Sequence, residues 1–301
     1  MRVFLTGANG FLGREIAREL RAHGHVIAGL LRQASEQSSG GHDICGDFLK
    51  PETYRDALKD FAPDALVHCG WHGVAASERE TRSQLENVPA AGELVAAAAE
   101  AGARIAVGLG SQAEYGHYDH LLSEDAVTRP VTLYGIAKLA AGASFLRIAR
   151  QCGMRGVWAR IFSLYGPGET APTMLSYLAR TLAAGQTPAL TPCTQIWDYL
   201  HVRDAARAID DLLAFDSAQG VFNIATGQEI VLRDVVLHLR DIMAPGIEPQ
   251  FGAVPIGSEQ SVYLAGNVAK LMGLAGWRPQ VTLDQGLREI AREAQLAARR
   301  L

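Results

Sequence analysis

The sequence predicts an α/β fold: a doubly wound, mostly parallel sheet with helices on both faces, followed by a smaller mixed α/β lobe. Three observations predict it. Short apolar runs alternate with longer helical segments through the first half of the chain. The first apolar run ends in a glycine-rich turn that opens a helix. After about Leu164 the alternation gives way to shorter, more mixed segments with more Pro and Gly.

The elements follow in order. Arg2–Leu5 is a short apolar strand, and Gly13–His23 is a helix with Ile16, Ala17 and Leu20 on one face. Val26–Leu31, Ala65–Cys69, Ile105–Leu109 and Gly156–Phe162 are further strands. Helices are predicted at Glu52–Phe61, Arg82–Ala101 and Tyr134–Gln151. Crossovers in such a sheet are right-handed. Val221–Ala225 supplies one more strand, and Leu283–Leu301 a charged amphipathic helix. The small side chains of Ala90–Ala101 suit a buried or interface helix. This divides the chain into a first domain over 1–163, to which 199–225 returns, and a second lobe over 164–198 and 226–301.

Composition narrows the function. Of the 301 residues, 48% are hydrophobic and 20% charged, the proportions of a globular protein, which excludes a disordered or fibrous one. The net charge is −4 and no Lys/Arg block stands out, so nucleic acid and anionic membrane surfaces are not expected partners. No apolar stretch reaches the roughly 20 residues of a membrane span. The first residues run straight into the glycine-rich turn, so they read as fold and not as a leader. Cys45, Cys69, Cys152 and Cys193 lie far apart and match neither a zinc site nor a disulfide framework. A reduced, cytoplasmic setting is the expectation.

The turn Thr6–Gly13 reads TGANGFLG, with G-x-x-G-x-x-G spacing. Gly7 permits the tight turn, Gly10 lets the backbone approach a pyrophosphate, and Gly13 lets the helix pack closely. The helix N-terminus then offers unpaired N–H groups and a favourable dipole to the anion. This is a dinucleotide site of a Rossmann domain, with Gly7, Asn9, Gly10, Phe11 and Leu12 as expected contacts. The second strand ends Leu30-Leu31-Arg32, without the acidic residue that would bond a ribose 2′-hydroxyl. The Arg32 guanidinium suits a 2′-phosphate, which favours NADP(H) over NAD(H); alternatively it stacks on the adenine or faces water. Asp47 and Phe48 are expected to border the adenine, unless Asp47 caps a helix.

Tyr134 and Lys138 form Y-x-x-x-K, four apart and so on one helix face. A free phenol has a pKa near ~10, too high for ready proton exchange at neutral pH, and a nearby cation lowers it. Such a tyrosine exchanges a proton with an oxygen that gains or loses a hydride. Strand Ile105–Leu109 runs into Gly110-Ser111-Gln112-Ala113-Glu114-Tyr115-Gly116, past the strand edge where ligands bind. Ser111 can bond a substrate carbonyl there, or simply cap its own loop.

In this order and spacing, TGANGFLG, the Ser111 segment and YGIAK resemble the extended short-chain dehydrogenase/reductase family, the NAD-dependent epimerase/dehydratase group. RIFSLYGPGE (Arg160–Glu169) resembles that family's R-x-F-N-x-Y-G-P segment and WDYLHVRDAARAI (Trp197–Ile209) its R-D-F-x-H-V-x-D-x-A segment. VFNIATG (Val221–Gly227) and GWRP (Gly276–Pro279) also match, so the likeness covers nearly the whole chain. The resemblance implies that Ser111, Tyr134 and Lys138 are the catalytic triad and that the second lobe binds a nucleotide-activated sugar. Two departures narrow it. Gln112-Ala113 stand where sugar 4,6-dehydratases carry an Asp-Glu pair, and neither titrates, so dehydration is not expected. Ser163 replaces the family's usual Asn.

The GSQAEYG segment and Trp71 look most like 4-ketoreductases of the CDP-abequose and CDP-paratose synthase type, a pattern that extends to dTDP-, GDP- or UDP-linked 4-keto-6-deoxy sugars. The implied chemistry is hydride transfer from NADPH to the C4 ketone. Tyr134 would protonate the alkoxide, Lys138 would tune Tyr134 and hold the nicotinamide ribose, and Ser111 would polarise the carbonyl. Expected substrate contacts are Trp71, Gln112, Glu114, Tyr115, Ser163, Trp197, Tyr199 and Arg203, with His72 and His117 as candidate second proton donors. Asp198 is expected to pin the lobes together, and Arg160 and Asp204 to be structural. The alternative is a nucleotide-sugar 4-epimerase with tightly held NAD, which the resemblance associates with an acidic residue in place of Arg32. The resemblance also implies a homodimer, with Arg82–Ala101 and Tyr134–Gln151 of two copies forming a four-helix bundle.

Overall fold

A computed structural model describes residues 1–33, 42–257 and 261–299. Seven strands build the main sheet: β1 (Arg2–Thr6), β2 (Val26–Leu31), β3 (Ile44–Cys45), β4 (Ala65–His68), β5 (Ile105–Ser111), β6 (Arg155–Ile161) and β11 (Gly220–Ile224). Their order is β11-β6-β5-β4-β1-β2-β3, and every pairing is parallel. The order reverses at β1, between β4 and β2, which opens a crevice at the strands' carboxyl ends.

Pleating sends alternate side chains of β1 into two cores. Val3 and Leu5 enter one with Ile16 and Leu20 of α1 (Phe11–Ala22). Ile209 and Leu212 of α6 (Val202–Ala214) complete that layer. Phe4 enters the other core with Leu58 of α2 (Arg55–Phe61), Leu94 of α3 (Asn87–Glu100) and Phe145 of α4 (Leu133–Gln151). Strands covered on both faces read as continuous apolar runs, as β4 does.

Two predicted helices are shorter than expected. The stretch before α3 is a 3₁₀ turn over Arg82–Glu86. Pro89 has no N–H to reach the carbonyl four residues back, so α bonding cannot run through from Arg82. The buried Asn87 anchors the junction, bonding both backbone groups of His72 and the Gln84 carbonyl. Likewise Pro51–Thr53 is a separate 3₁₀ turn. Tyr54 leaves helical geometry at φ −132° and buries its ring against Phe4 before α2 begins.

The C-terminal lobe packs α5 (Met174–Ala183), α7 (Leu232–Met243) and α9 (Leu283–Ala298) around Leu178, Val236 and Leu287. Three small sheets border it. They pair β7 (Ser163–Tyr165) with β10 (Tyr199–His201), and β8 (Ala189–Leu190) with β13 (Gln250–Phe251). The third joins β9 (Ile196–Trp197) to β12 (Ile230–Val231) and β14 (Tyr263–Leu264). A short α8 (Ala269–Ala275) packs beside β11. The last two residues of the predicted terminal helix lie outside the described residues.

Buried charges tie the pieces together. The Asp198 carboxylate accepts N–H groups of Thr226 and Gly227, both at 2.8 Å, and so fixes the chain leaving β11 to the lobe. Asp204 accepts from Gln280 and Val281 N–H at 3.0 Å, joining α6 to the segment before α9. No helix among the described residues is long and apolar enough to cross a membrane.

Candidate active site

A cleft of about 1610 Å³ runs from the β1 turn to the C-terminal lobe. The turn forms one end. Gly7 has φ +71°, and a Cβ there would sit 2.7 Å from the Gly70 N atom. A Cβ on Gly13 would overlap the Gly7 carbonyl oxygen, so helix and turn touch backbone to backbone. Helix α1 starts at Gly10 with no side-chain cap, leaving its first N–H groups to an external anion. This cradle fits a pyrophosphate. Gly7, Asn9, Gly10, Phe11 and Leu12 all line the cleft, as do Arg32 at the end of β2 and Asp47 and Phe48 beyond β3. Asp47 also bonds the Leu49 N–H at 3.0 Å, a local turn. The Thr6 hydroxyl joins His68 Nδ1 at 2.8 Å and accepts the Gly70 N–H at 3.0 Å, which locks the β1 and β4 ends into register. Burial keeps that imidazole neutral, with its pKa pulled down to about 3.

Ser111, Tyr134 and Lys138 meet at the middle of the cleft. Thr132 caps α4 by accepting the Gly135 N–H at 3.0 Å, so the helix presents Tyr134 and Lys138 in its first turns. The Ser111 hydroxyl lies close enough to the Tyr134 phenol to favour its ionised form. Its Oγ also accepts the Ala113 N–H at 3.2 Å, so the serine caps its own loop as well. The Lys138 ammonium donates to the Leu109 carbonyl at 2.8 Å and lies 3.8 Å from the Trp71 ring centroid. Burial brings its pKa down to about 8, against the pull of Glu114. Burial also raises Tyr134, while the Ser111 hydroxyl and the charge of Arg79 pull it back. Lys138 was expected to be the cation that acts on the phenol. In the structure its ammonium lies 5.9 Å from the Tyr134 ring centroid while bonded to Leu109, and the Arg79 guanidinium is a second cation 5.2 Å from that centroid.

Of the expected substrate contacts, Trp71, Gln112, Ser163, Trp197 and Tyr199 line the cleft, with His72 and His117. Three do not. Glu114 is fully buried behind the site: its carboxylate accepts the Ser111 N–H and Trp158 Nε1 at 2.9 Å and Arg160 Nε at 2.8 Å. Tyr115 is fully buried beneath Arg160 and donates its hydroxyl to Asn223 Oδ1 at 2.6 Å. Arg203 sits on α6 and pairs with Glu289 of α9 at 2.6 Å. Each was read as a ligand contact and is a strut. Arg160 and Asp204 are structural, as expected.

Sequence reasoning missed Arg79 and Glu169. Arg79 stands in a charged stretch without motif spacing, so nothing local signalled it. Glu169 enters the cleft because its loop is clasped: the Gly168 carbonyl accepts from Arg14 at 2.8 Å, and its N–H donates to the Glu293 carboxylate at 2.9 Å.

Comparison with known proteins places this geometry. Residues 3–225 match the family model described as the NAD dependent epimerase/dehydratase family. GDP-6-deoxy-D-mannose reductase of Pseudomonas aeruginosa is 26% identical over 301 residues, covering 96% of this chain and 95% of that protein. dTDP-6-deoxy-L-talose 4-dehydrogenase (NAD(P)(+)) of Kitasatospora kifunensis is 28% identical over 302 residues, covering 96% and 94%. Among solved structures, RMD from Pseudomonas aeruginosa complexed with NADPH superposes with a TM-score of 0.82 at 26% identity, covering 98% of this chain and 99% of that one.

Proposed function

The chain belongs to the NAD dependent epimerase/dehydratase family, and from that premise we propose that it reduces the C4 ketone of a nucleotide-activated 4-keto-6-deoxy or 3,6-dideoxy sugar with NADPH. One observation carries the reading. Ser111, Tyr134 and Lys138 meet in a single cleft between a pyrophosphate cradle and a wall of Ser163, Trp197 and Tyr199 at the border of the second lobe. The relatives support it: one is named for a GDP-deoxysugar reductase and one for a dTDP-deoxysugar 4-dehydrogenase. GDP and dTDP, the nucleotides in those names, are among those that the sequence admits beside CDP.

The nicotinamide supplies the hydride when bound. The chain does the rest. Ser111 donates a hydrogen bond to the ketone oxygen, where negative charge develops. Tyr134 hands its proton to that oxygen. Lys138, anchored on Leu109, holds the nicotinamide ribose. The exposed Arg32 takes the 2′-phosphate. Gln112 and Ala113 do not titrate, so the two positions that the resemblance gives to a dehydratase's acid and base supply neither.

The test is NADPH oxidation by the purified protein against a panel of CDP-, dTDP-, GDP- and UDP-linked 4-keto-6-deoxy sugars, with NMR of the product. Stoichiometric NADPH consumption with a new C4 hydroxyl is the expected result. Protein that retains NAD through purification and consumes no NADPH on any member would establish the epimerase instead. We further propose a homodimer built on α3 and α4, which pack side by side here. Light scattering at twice the chain mass is expected, and a monomer across the concentration range would refute it.

A further inference from the structure

Arg79 has no part in the mechanism above, yet it is built into the site. It lies on the connection between β4 and α3 and lines the cleft. Its carbonyl accepts the Tyr134 N–H at 2.9 Å. One residue on, the Glu80 carboxylate accepts the Leu133 N–H at 3.3 Å. These two bonds strap the connection onto the first turn of α4, the turn that carries Tyr134. The Arg79 guanidinium forms no ion pair among the described residues. It stands over the Tyr134 ring, 5.2 Å from the centroid, while the Trp71 ring meets that phenol edge-on at 6.1 Å.

We propose that Arg79 is a positioning residue that favours the phenolate of Tyr134 by its charge and holds the ring toward Ser111 by its main chain. Four other groups bear on the phenol. Lys138, on the same helix, lies 5.9 Å from the ring centroid and is held there by Leu109 and Trp71. Ser111, at the end of β5, is a neutral hydroxyl that also favours the ionised phenol. Glu114, below it, opposes ionisation, but its charge is neutralised by Arg160 at 2.8 Å. Cys69, after β4, also opposes it and is kept a thiol by burial, which raises it to about 11. Arg79 is a second cation over the ring, 5.2 Å from its centroid, and its charge acts on the phenol in the direction proposed. Because it is exposed, water weakens the effect without abolishing it.

The proposal uses the reading of Tyr134 as proton donor, but its test needs no substrate. Trifluorotyrosine placed at position 134 brings the phenol's midpoint into a range where the fold is intact, and ¹⁹F NMR follows its titration. Arg79→Gln should move that midpoint upward by about half to one pH unit, the effect of one exposed charge at this distance. Arg79→Lys, which keeps the charge, should restore most of it. An unmoved midpoint in Arg79→Gln would overturn the proposal. So would an equal rise in both variants, which would show that packing and not charge is responsible. A shifted midpoint together with a negative sugar panel would leave the Arg79 proposal standing and remove the ketoreductase reading.

Discussion

Glu114→Gln separates the strut from the ligand contact that the sequence suggested. The carboxylate accepts three N–H groups, from Ser111, Trp158 and Arg160, at 2.8–2.9 Å. An amide of the same shape keeps one acceptor oxygen and turns an NH₂ toward at least one of those donors. The Arg160 side chain, only 6% exposed, then loses its countercharge. Removing one partner of a buried pair costs about 3–5 kcal/mol, mostly because the other charge stays buried alone. Arg160 retains the Tyr115 ring at 4.4 Å and the Glu124 carbonyl at 3.4 Å, so the lower end, about 3 kcal/mol, is expected. Equilibrium urea unfolding measures it. The double variant Glu114→Gln/Arg160→Met should lose less than the sum of the two single changes, because no charge is left unpaired. Turnover should fall through kcat, since the Ser111 backbone loses its anchor, with KM nearly unchanged. A sugar contact predicts the opposite pattern: a raised KM and unchanged stability. Destabilisation below about 0.5 kcal/mol, the range of ordinary surface changes, would refute the buried strut.

Three further outcomes follow from the cleft. Tyr134→Phe should lower turnover by at least about a hundredfold while leaving NADPH affinity, by calorimetric titration, within about twofold; retained turnover would end the proton-donor assignment. Arg32→Gln should weaken NADPH about tenfold and NADH hardly at all, the loss of one charge-assisted contact worth ~1.4 kcal/mol; equal losses for both cofactors would mean that Arg32 stacks on the adenine. Lys138→Met should be inactive yet change the pH dependence of stability. Burial holds the folded-state lysine at about 8, whereas the unfolded one keeps its proton to about 10.4. Between those values the unfolded chain binds more protons, so this group makes the wild type gain stability as pH rises. The variant should lack that gain in urea unfolding at about pH 7 and about pH 9.5, and parallel profiles would refute the buried ammonium.

The sheet was legible because buried parallel strands must be apolar throughout, as in Leu66–Val67, and because a helix must follow each crossover. The cofactor cradle was legible because glycine is the residue that lets Gly13 lie against the Gly7 carbonyl. The helix ends were less so. Pro89 carried the signal that α3 begins late, but an alanine-rich periodicity outweighed it. The small strands of the C-terminal lobe, such as Ile196–Trp197 and Ile230–Val231, are two residues long and antiparallel to each other. Two residues carry no period, so only their distant partners define them.

The errors at the site share a physical cause. Glu114, Tyr115 and the partly exposed Arg203 are polar groups beside the sequence motifs, and a polar group withdrawn from water needs a partner whether that partner is a ligand or another side chain. The sequence displays the need but not who meets it. Here the partners are remote: Arg160 lies 46 residues from Glu114, Asn223 lies 108 from Tyr115, and Glu289 lies 86 from Arg203. Arg79 is the complementary case. It has no side-chain countercharge in the described fold, its distance from Tyr134 in sequence hides it, and only the strap onto α4 brings them together. A charged side chain left over once the fold's own pairings are made is therefore a guide to function, which is why a second cation for the phenol is proposed at Arg79 beside the lysine four residues along.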